Sequence, residues 1–470
     1  MSLMEVTTPM RATNLWRSEI LGPSRGARAL RASAVSLVGR VISIGGTLIT
    51  IPLVLNHLGP ERYGLWMTLS VIFVFLRLAD GGVTIGLIAL VSRADGVGDF
   101  ARIRALFASA FAITIAVAAL LAALAVLVRF VDWHWLLKIS DPALQADAAA
   151  ATVIIILSMA LGFPSGVVRQ GRTGLQQGAE ANLWDLAGSL ITFVGQVAVV
   201  YLKLGLIALA AVTAFTPVIV NTVMSVVFFV GKGRDLLPRA KSASRPVARA
   251  LFVSGSMFMA LTLVQALSLQ IDTVLIARLI GVTQVADYSI VQKLMSQPQL
   301  LITMYLIPQF AAYSEALTRG DHDWIVRQFK RTVLIATLLS VAACGLLAFA
   351  ASPLLKLWIG SAISPSPTLV ASLAVYGVVA TVANVFTYFF FALGLYRQVI
   401  LAYALMIVIN IPLALILIPQ IGPAGAAIAT STGLVLALIV PSLFTVRAVF
   451  GDLPRLQKEA ADGLAPASGG

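Results

Sequence analysis

The sequence predicts an all-α protein that crosses a membrane about 12 times (range 12–14), as two pseudo-symmetric lobes of six helices each. Composition is the first observation behind this prediction: 59% of the 470 residues are hydrophobic, 11% are charged, and the mean hydropathy is +0.96. Apolar stretches long enough to cross a bilayer also recur along nearly the whole chain. Finally, motifs of the first half return in the second half at a nearly constant spacing.

About twelve stretches reach the length of roughly 20 apolar residues that a membrane span needs. They leave only short connectors, so the chain has no room for a soluble catalytic domain. By residue number the stretches are 34–57, 64–91, 105–129, 148–169, 182–202, 205–230, 250–277, 285–310, 331–352, 368–393, 397–419 and 423–447.

Paired motifs define the internal repeat. Gly59 returns as Gly281 after 222 residues, and Gly205 returns as Gly422 after 217 residues. Two similar halves commonly enclose a transport site at their interface, so the repeat predicts a carrier. The predicted parts are a basic N-terminal arm, a first lobe, a linker, a second lobe and a polar tail that is expected to be disordered. Their ranges are 1–33, 34–230, 231–249, 250–447 and 448–470.

Basic residues predict the orientation. Lys and Arg are biased 24 to 6 toward the segments on the side of both termini. The positive-inside rule then places both termini in the cytoplasm. The net charge of +13 follows from this bias and favours contact with anionic membrane lipids. No nucleic-acid partner is expected, because the basic residues are scattered along the chain. The three His residues lack the spacing of metal ligands, so no metal site is expected either.

Polar side chains inside the spans predict the transport site, because a charge in hydrocarbon normally faces a cavity or a partner. Arg40 shares one helical stripe with the hydroxyl groups of the first span. Asp185 begins a second stripe, on span 182–202, and is expected to be solvated. The candidate translocation residues are Arg40, Arg77, Lys293, Gln265, Ser43 and Thr47, and the candidate ion-coupling residues are Asp80 and Asp272.

The intramembrane charges also allow a structural interpretation. Arg77 and Asp80 are three residues apart and can pair within one helix. Lys293 and Asp272 both lie toward the outer side and can neutralise each other. The sequence leaves open whether these groups line a cavity or only pair.

Four segments resemble a known family through their order and spacing. They are LGPERYGLW at 58–66, ADGGV at 79–83, DTVLI at 272–276 and GPAGAA at 422–427. Over about residues 33–450 the chain resembles the polysaccharide transporter branch, which includes O-antigen-type flippases, of the multidrug/oligosaccharidyl-lipid/polysaccharide (MOP) exporter superfamily. The resemblance implies a V-shaped pair of lobes that opens alternately to each side of the membrane.

The resemblance further implies a cargo and a role without catalysis. The cargo is an undecaprenyl-pyrophosphate-linked oligosaccharide, moved from the cytoplasmic to the outer leaflet of the bacterial inner membrane for O-antigen, lipopolysaccharide or exopolysaccharide synthesis. No cofactor is expected beyond coupling to a proton or sodium gradient. Expected partners are membrane lipids, a polysaccharide polymerase and chain-length machinery, and the carrier is expected to be a monomer.

Two other functions remain open on the sequence. A multidrug or cation antiporter of the same superfamily shares the fold but favours a carboxylate cluster that binds cations. A membrane-embedded glycosyltransferase or polysaccharide polymerase commonly needs sizeable external loops with acidic ligands. The first outer loop is short and carries one acidic residue, Glu61.

Overall fold

The structure is a computed structural model that describes residues 25–231, 233–360 and 362–464, with side-chain surroundings from Gly45 onward except at 240, 311, 456 and 458–464. These residues form helices joined by short turns, and none of them lies in a strand, so the all-α prediction is confirmed. The helices are α1 Arg25–Leu76, α2 Val83–Gly96, α3 Phe100–Leu127, α4 Trp133–Leu137, α5 Pro142–Gly174, α6 Gly178–Tyr201, α7 Leu206–Val230, α8 Arg245–Ile280, α9 Val282–Met295, α10 Gln297–Arg319, α11 His322–Phe349, α12 Ala351–Ile359, α13 Pro367–Ala392, α14 Tyr396–Ile421, α15 Ala424–Gly433 and α16 Val440–Leu464.

Ten helical segments of the described chain are long and apolar enough to cross a membrane. The two predicted spans not among them, 34–57 and 64–91, fall in α1 and α2. Helix α1 covers 52 residues but is broken at Gly59, where φ is 79°. Its repeat equivalent Gly281 separates α8 from α9 with a φ of 97°. Residues that carry a Cβ disfavour positive φ, which explains why glycine stands at both positions. The two glycines mark the equivalent turn in each half.

The connectors at the opposite end repeat a helix-capping motif. Gly98 and Gly320 both have positive φ, 71° and 77°. The following residues, Asp99 and Asp321, accept a hydrogen bond from the backbone N–H three residues further on, at 2.9 and 3.2 Å. An aspartate in this position satisfies a helix N–H that otherwise has no partner. We call this end of the molecule, which also carries the 231–244 connector, the linker end, and the opposite end the Gly59 end.

The second predicted span is interrupted near its middle. Helices α1 and α2 are separated by the turn 77–82, in which Gly81 and Gly82 have φ values of 65° and 81°. The prediction that Arg77 and Asp80 share one continuous helical face is therefore wrong. The second half has a corresponding break, between α9 and α10.

The two halves share a hydrophobic core at the Gly59 end only. That core contains buried residues of both halves, such as Leu55 and Leu65 with Val282 and Tyr288. Two further cores lie toward the linker end. One is built from the second half alone, and the other from the first half with Leu251 of α8. The halves are thus closed against each other at the Gly59 end and packed separately at the linker end.

Helix α8 connects the two halves. Its first turns pack on α2 so closely that a Cβ on Gly82 would lie 2.6 Å from the carbonyl oxygen of Gly255. Its last turns belong to the second half, where Ser268 donates to the backbone oxygen of Tyr403 at 3.0 Å. The helix begins at Arg245, inside the predicted linker 231–249. One helix is therefore shared by both lobes.

A tryptophan of the second half holds the first half at the Gly59 end. The Trp358 indole Nε1–H, in the last turn of α12, donates to the carbonyl oxygen of Leu48 at 2.6 Å. That oxygen lacks its usual partner within α1, because the residue four positions later is Pro52 and proline has no N–H. Trp358 thus replaces the hydrogen bond that Pro52 removes.

The first half reaches the second half in a similar way. Lys138, at the end of α4, donates to the carbonyl oxygen of Leu279 at 2.6 Å. The Arg278 guanidinium lies 4.8 Å from the centre of the Trp135 indole. Trp135 and Trp358 are 223 residues apart, close to the repeat spacing. The short helices α4 and α12 are therefore equivalent elements that each clasp the opposite half.

The chain beyond the last predicted span is helical. Helix α16 continues to Leu464, Leu453 is fully buried, and the Phe450 ring packs 5.9 Å from that of Phe329. The prediction of a disordered tail is wrong for the part of it that the structure describes. Burial of Leu453 on the linker end of the second half explains why this segment is ordered.

Candidate transport cavity and buried carboxylate cluster

A cavity of about 520 Å³ lies among the helices of the first half. Its wall is formed mainly by α1, α6 and α7, and one residue, Lys293 of α9, comes from the second half. The polar lining consists largely of neutral hydroxyl and amide groups, and aromatic rings face the same space. The polar members are Thr47, Thr50, Asp185, Ser189, Thr192, Gln196, Thr213, Asn221 and Lys293, and the aromatic ones are Tyr63, Trp66, Trp184 and Phe193.

The α6 side of the cavity follows from helical periodicity. Asp185, Ser189, Thr192 and Gln196 recur every three or four residues, so one face of α6 carries all of them. The structure confirms that this predicted stripe lines the cavity. The Thr192 hydroxyl donates to its own helix at 2.8 Å. Its lone pairs therefore stay available as acceptors.

Two candidate translocation residues, Thr47 and Lys293, lie in the cavity lining. The Lys293 side chain is partly buried, and its ammonium has no hydrogen-bond or ion-pair partner among the described residues. Of the two interpretations that the sequence left open, the structure favours cavity lining for Lys293 over pairing with Asp272, because that carboxylate is bound by other groups within the second half. Tyr63 adds a buried hydroxyl without a hydrogen-bond partner. The cavity thus presents an uncompensated cation beside neutral donors and acceptors.

Two of the other candidates lie away from the cavity. Arg77 is exposed in the turn between α1 and α2. Asp80 is 3% exposed and caps α2, accepting from the backbone N–H of Gly82 at 3.0 Å and of Thr84 at 2.9 Å. The Thr84 hydroxyl also donates to it, at 2.6 Å. In the described part of the chain no ion pair joins Arg77 and Asp80, so the pairing that the sequence allowed is not formed there, and the carboxylate caps its own helix.

The remaining translocation candidates divide between the two halves. Arg40 and Ser43 belong to α1, but their side chains lie outside the described ones. Gln265 is on α8 in the second half. It is not part of the cavity lining. The structure therefore brings together Thr47 and Lys293, and places Gln265 elsewhere.

The candidate coupling residue Asp272 is at the centre of a buried polar cluster in the second half. It is 1% exposed on α8 and accepts from the Tyr288 hydroxyl and the Asn410 amide, both at 3.3 Å. The Thr430 hydroxyl of α15 donates to the same carboxylate. All three donors are neutral. No group of three or more His, Cys, Asp or Glu side chains suited to a metal ion occurs within the described ranges.

The cluster still has an unused acceptor. Asn410 donates to Thr430 at 3.1 Å and to the backbone oxygen of Ser268 at 3.3 Å, yet its own side-chain oxygen is buried without a partner. A buried polar atom without a hydrogen bond is costly and usually has a reason. Carboxylate, amide and hydroxyl oxygens are also the ligands that hard cations prefer. The donor set therefore fits a proton or a small cation.

Sequence reasoning missed an ion pair at the cavity wall. The Arg169 Nε of α5 donates to both carboxylate oxygens of Asp185, at 2.8 and 3.1 Å, and the Nη2 group adds a further bond. Asp185 is therefore bound by an arginine. The sequence predicted only that it would be solvated. The sequence showed only two opposite charges 16 residues apart on neighbouring helices. The periodicity of each helix does not tell how the two helices pack, so the ion pair could not be predicted.

Comparison with known proteins identifies the family. The sequence profile described as "Polysaccharide biosynthesis protein" matches residues 29–314, which is more than half of the chain. The chain belongs to this family. No curated protein matches it. The resemblance to polysaccharide transporters seen in the sequence is thereby confirmed.

Solved structures share the fold at low identity. One is an inward-facing multidrug resistance MATE family transporter of the MOP superfamily, with 15% identity, a TM-score of 0.74, and coverage of 89% of this chain and 99% of that chain. An outward-facing multidrug resistance MATE family transporter of the MOP superfamily gives 15% identity, a TM-score of 0.63, and coverage of 93% of this chain and 98% of that chain. A third structure is a MOP superfamily transporter from Pyrococcus furiosus, whose binding pocket is described as having reversed polarity. It gives 14% identity, a TM-score of 0.58, and coverage of 93% of this chain and 98% of that chain. This polysaccharide biosynthesis protein is thus a multi-pass membrane protein with a MOP-type transporter fold.

Proposed function

We propose that the protein is a flippase for an undecaprenyl-pyrophosphate-linked oligosaccharide in the bacterial inner membrane, serving synthesis of a surface polysaccharide such as O-antigen or exopolysaccharide. The observation that carries the proposal is the ammonium of Lys293, which has no partner among the side chains that the structure describes, in a cavity of largely neutral hydroxyl and amide groups. A pyrophosphate needs cations and hydrogen-bond donors in a low-dielectric site, where each is worth more than in water.

The rest of the lining suits a sugar. Hydroxyl and amide groups can exchange hydrogen bonds with sugar hydroxyls, and the Trp184 and Phe193 rings offer apolar surfaces for the faces of the sugar. The polyprenyl tail would remain among the membrane lipids, since it gains nothing from a polar cavity. The oligosaccharide head group is thus the part of the cargo that the cavity holds.

The conformation suits loading from the cytoplasm. The halves share a core at the Gly59 end and have separate cores at the linker end. The positive-inside rule assigns the linker end, which carries the basic connectors, to the cytoplasmic side. The structure then corresponds to a carrier closed toward the outer leaflet. Release requires the clasps at the Gly59 end to open.

The buried cluster around Asp272 supports gradient coupling. A carboxylate surrounded by neutral donors, with an unused oxygen of Asn410 beside it, can bind a proton or a sodium ion. Because α8 carries this carboxylate and also packs on the first half, its occupancy can bias the alternating motion of the lobes. A polysaccharide polymerase and chain-length machinery would take up the product, and the two-lobe carrier is complete as a monomer.

Binding of the cargo by purified protein tests the proposal. The Lys293→Gln variant should bind undecaprenyl pyrophosphate oligosaccharide about tenfold more weakly than the native protein, because one charge-assisted contact is lost. Lys356→Gln, a matched change outside the cavity, should bind as the native protein does. Equal affinity of native and Lys293→Gln protein would remove this residue from the mechanism. No binding by the native protein would remove the proposed cargo.

Neither alternative function gains support. A cation antiporter needs an available carboxylate in its cavity, whereas Asp185 is already held by Arg169. A glycosyltransferase or polymerase is disfavoured because the fold is that of a transporter. The proposed flippase accounts for both the family and the cationic cavity.

A further inference from the structure

The charge of the cavity depends on a residue outside its lining. Asp185 contributes the carboxylate among the lining residues, and Arg169 reaches it from α5. We propose that Arg169 sets the cavity's preference for anions by masking Asp185, so that removing this arginine abolishes the preference and lets the cavity accept organic cations. The inference rests on the proposed function, because it explains how the same site selects an anionic cargo.

Geometry makes the masking effective. Arg169 binds the carboxylate with two of its nitrogens, the bidentate arrangement in which an arginine is most specific for a carboxylate. The two side chains are 31% and 41% exposed, so the pair is neither fully buried nor freely solvated. Asp185 therefore faces the cavity as part of a neutral pair, and Lys293 supplies the uncompensated charge.

Loss of the arginine would reverse this balance. An unmasked Asp185 would place a negative charge on the cavity wall and cancel the effect of Lys293. Since charges in a partly desolvated cleft interact more strongly than in bulk water, a pyrophosphate would then be held less tightly and a lipophilic cation would no longer be repelled. Arg169 acts through Asp185 and is a positioning residue, not a direct ligand.

A second ion pair joins the same two helices and shows why the position matters. Arg172 of α5 pairs with Glu180 of α6, but neither residue lines the cavity. A third pair, Arg62 with Asp147 at 2.9 Å, also lies outside the lining. Arg62→Gln therefore unmasks a carboxylate without changing the cavity, and it is a matched control for Arg169→Gln.

The test compares four variants with two probes, undecaprenyl pyrophosphate and tetraphenylphosphonium. Arg169→Gln should bind the cation about tenfold more tightly, and the pyrophosphate about tenfold more weakly, than the native protein. Asp185→Asn should bind the pyrophosphate at least as tightly as native protein and gain no affinity for the cation. The double variant has the net charge of the native chain and should regain its preference. Arg62→Gln should match the native protein.

The outcomes separate charge from structural damage. Unchanged preference in Arg169→Gln, or a change of the same size in Arg62→Gln, would overturn the inference. A double variant that keeps the affinities of Arg169→Gln, or that binds neither probe, would also overturn it, because restored charge should restore the preference for the anion. If native protein fails to bind the pyrophosphate while Arg169→Gln gains the cation, the proposed cargo is wrong and the masking role of Arg169 stands.

Discussion

The cavity of the first half and the Asp272 cluster of the second half occupy equivalent places in the repeat. The 222-residue spacing that relates Gly59 to Gly281 also relates Thr50 to Asp272. The 217-residue spacing that relates Gly205 to Gly422 likewise relates Thr213 to Thr430. In the first half these positions border an open cavity, whereas in the second half they hydrogen-bond to each other.

The difference comes from one carboxylate. Thr50 donates its hydroxyl to the Gly46 carbonyl of its own helix at 2.7 Å, and so draws no neighbouring helix toward it. Asp272 has only acceptors when ionised, and it collects donors from α9, α14 and α15. One duplicated arrangement therefore gives an open cavity in one lobe and a closed polar cluster in the other.

The largest effect is expected where the carboxylate itself is removed. Asp272→Asn keeps the size and much of the hydrogen bonding of the cluster but removes its charge. Transport driven by a proton or sodium gradient in proteoliposomes should fall about tenfold or more, which corresponds to about 1.4 kcal/mol. Binding of the cargo should be nearly unchanged. The control is Thr50→Asn, which introduces the same residue at the equivalent position of the other lobe and should leave the gradient response intact. A normal gradient response in Asp272→Asn would contradict the ion-site assignment.

A smaller effect is expected when the first half is made to resemble the second. Thr50→Asp places a carboxylate in the cavity that also holds Lys293. At an effective dielectric constant of about 20 and a separation of about 10 Å, this costs an anionic cargo roughly 1–2 kcal/mol, or about tenfold in affinity. Equilibrium binding of undecaprenyl pyrophosphate measures it. Thr50→Asn is the neutral control, and equal binding by both variants would show that charge at this position is not sensed.

The smallest effect concerns how each half holds the other. Trp358→Phe removes the donor to the Leu48 carbonyl and should weaken closure of the Gly59 end by about 1 kcal/mol. Pro52→Ala restores an N–H within α1 for the same carbonyl. In the Pro52→Ala background the tryptophan substitution should therefore cost clearly less, which a double-mutant cycle detects.

Spin labels on the exposed residues Phe130 and Leu357 would report this closure as a distance distribution at the Gly59 end. Trp135→Phe serves as the comparison, because that clasp uses the ring face rather than a hydrogen bond and should respond weakly to Pro52→Ala. Additive effects of the Trp358 and Pro52 substitutions would contradict the proposed link between them.

The sequence alone predicted much of the fold and part of the cavity. Span lengths and the repeated glycines Gly59 and Gly281 predicted the helices and their turns, because these signals are local. Helical spacing also predicted the α6 stripe, since one face of a helix is set by periodicity alone. Lys293 was identified as a candidate because it is a charge within a predicted span, where a cation normally faces a cavity or a partner.

The remaining features depend on packing between distant segments. Asn410 and Thr430 lie 138 and 158 residues from Asp272, so nothing local connects them. Arg169 and Asp185 meet only because α5 and α6 pack with a particular rotation. Asp80 was misinterpreted for a different reason: the adjacent Gly81 and Gly82 signalled a helix break, which turned an expected intramembrane charge into a cap.

Helix α8 links the two lobes mechanically. Gly255 packs tightly against the first lobe, and Asp272 lies 17 residues later, about 25 Å along the same helix. The lobes cannot move as two independent rigid bodies unless this helix bends or the contact between Gly82 and Gly255 breaks. Under the proposed coupling, ion occupancy at Asp272 would bend or straighten this helix and so act on the cavity side, without any side chain touching both the ion and the cargo.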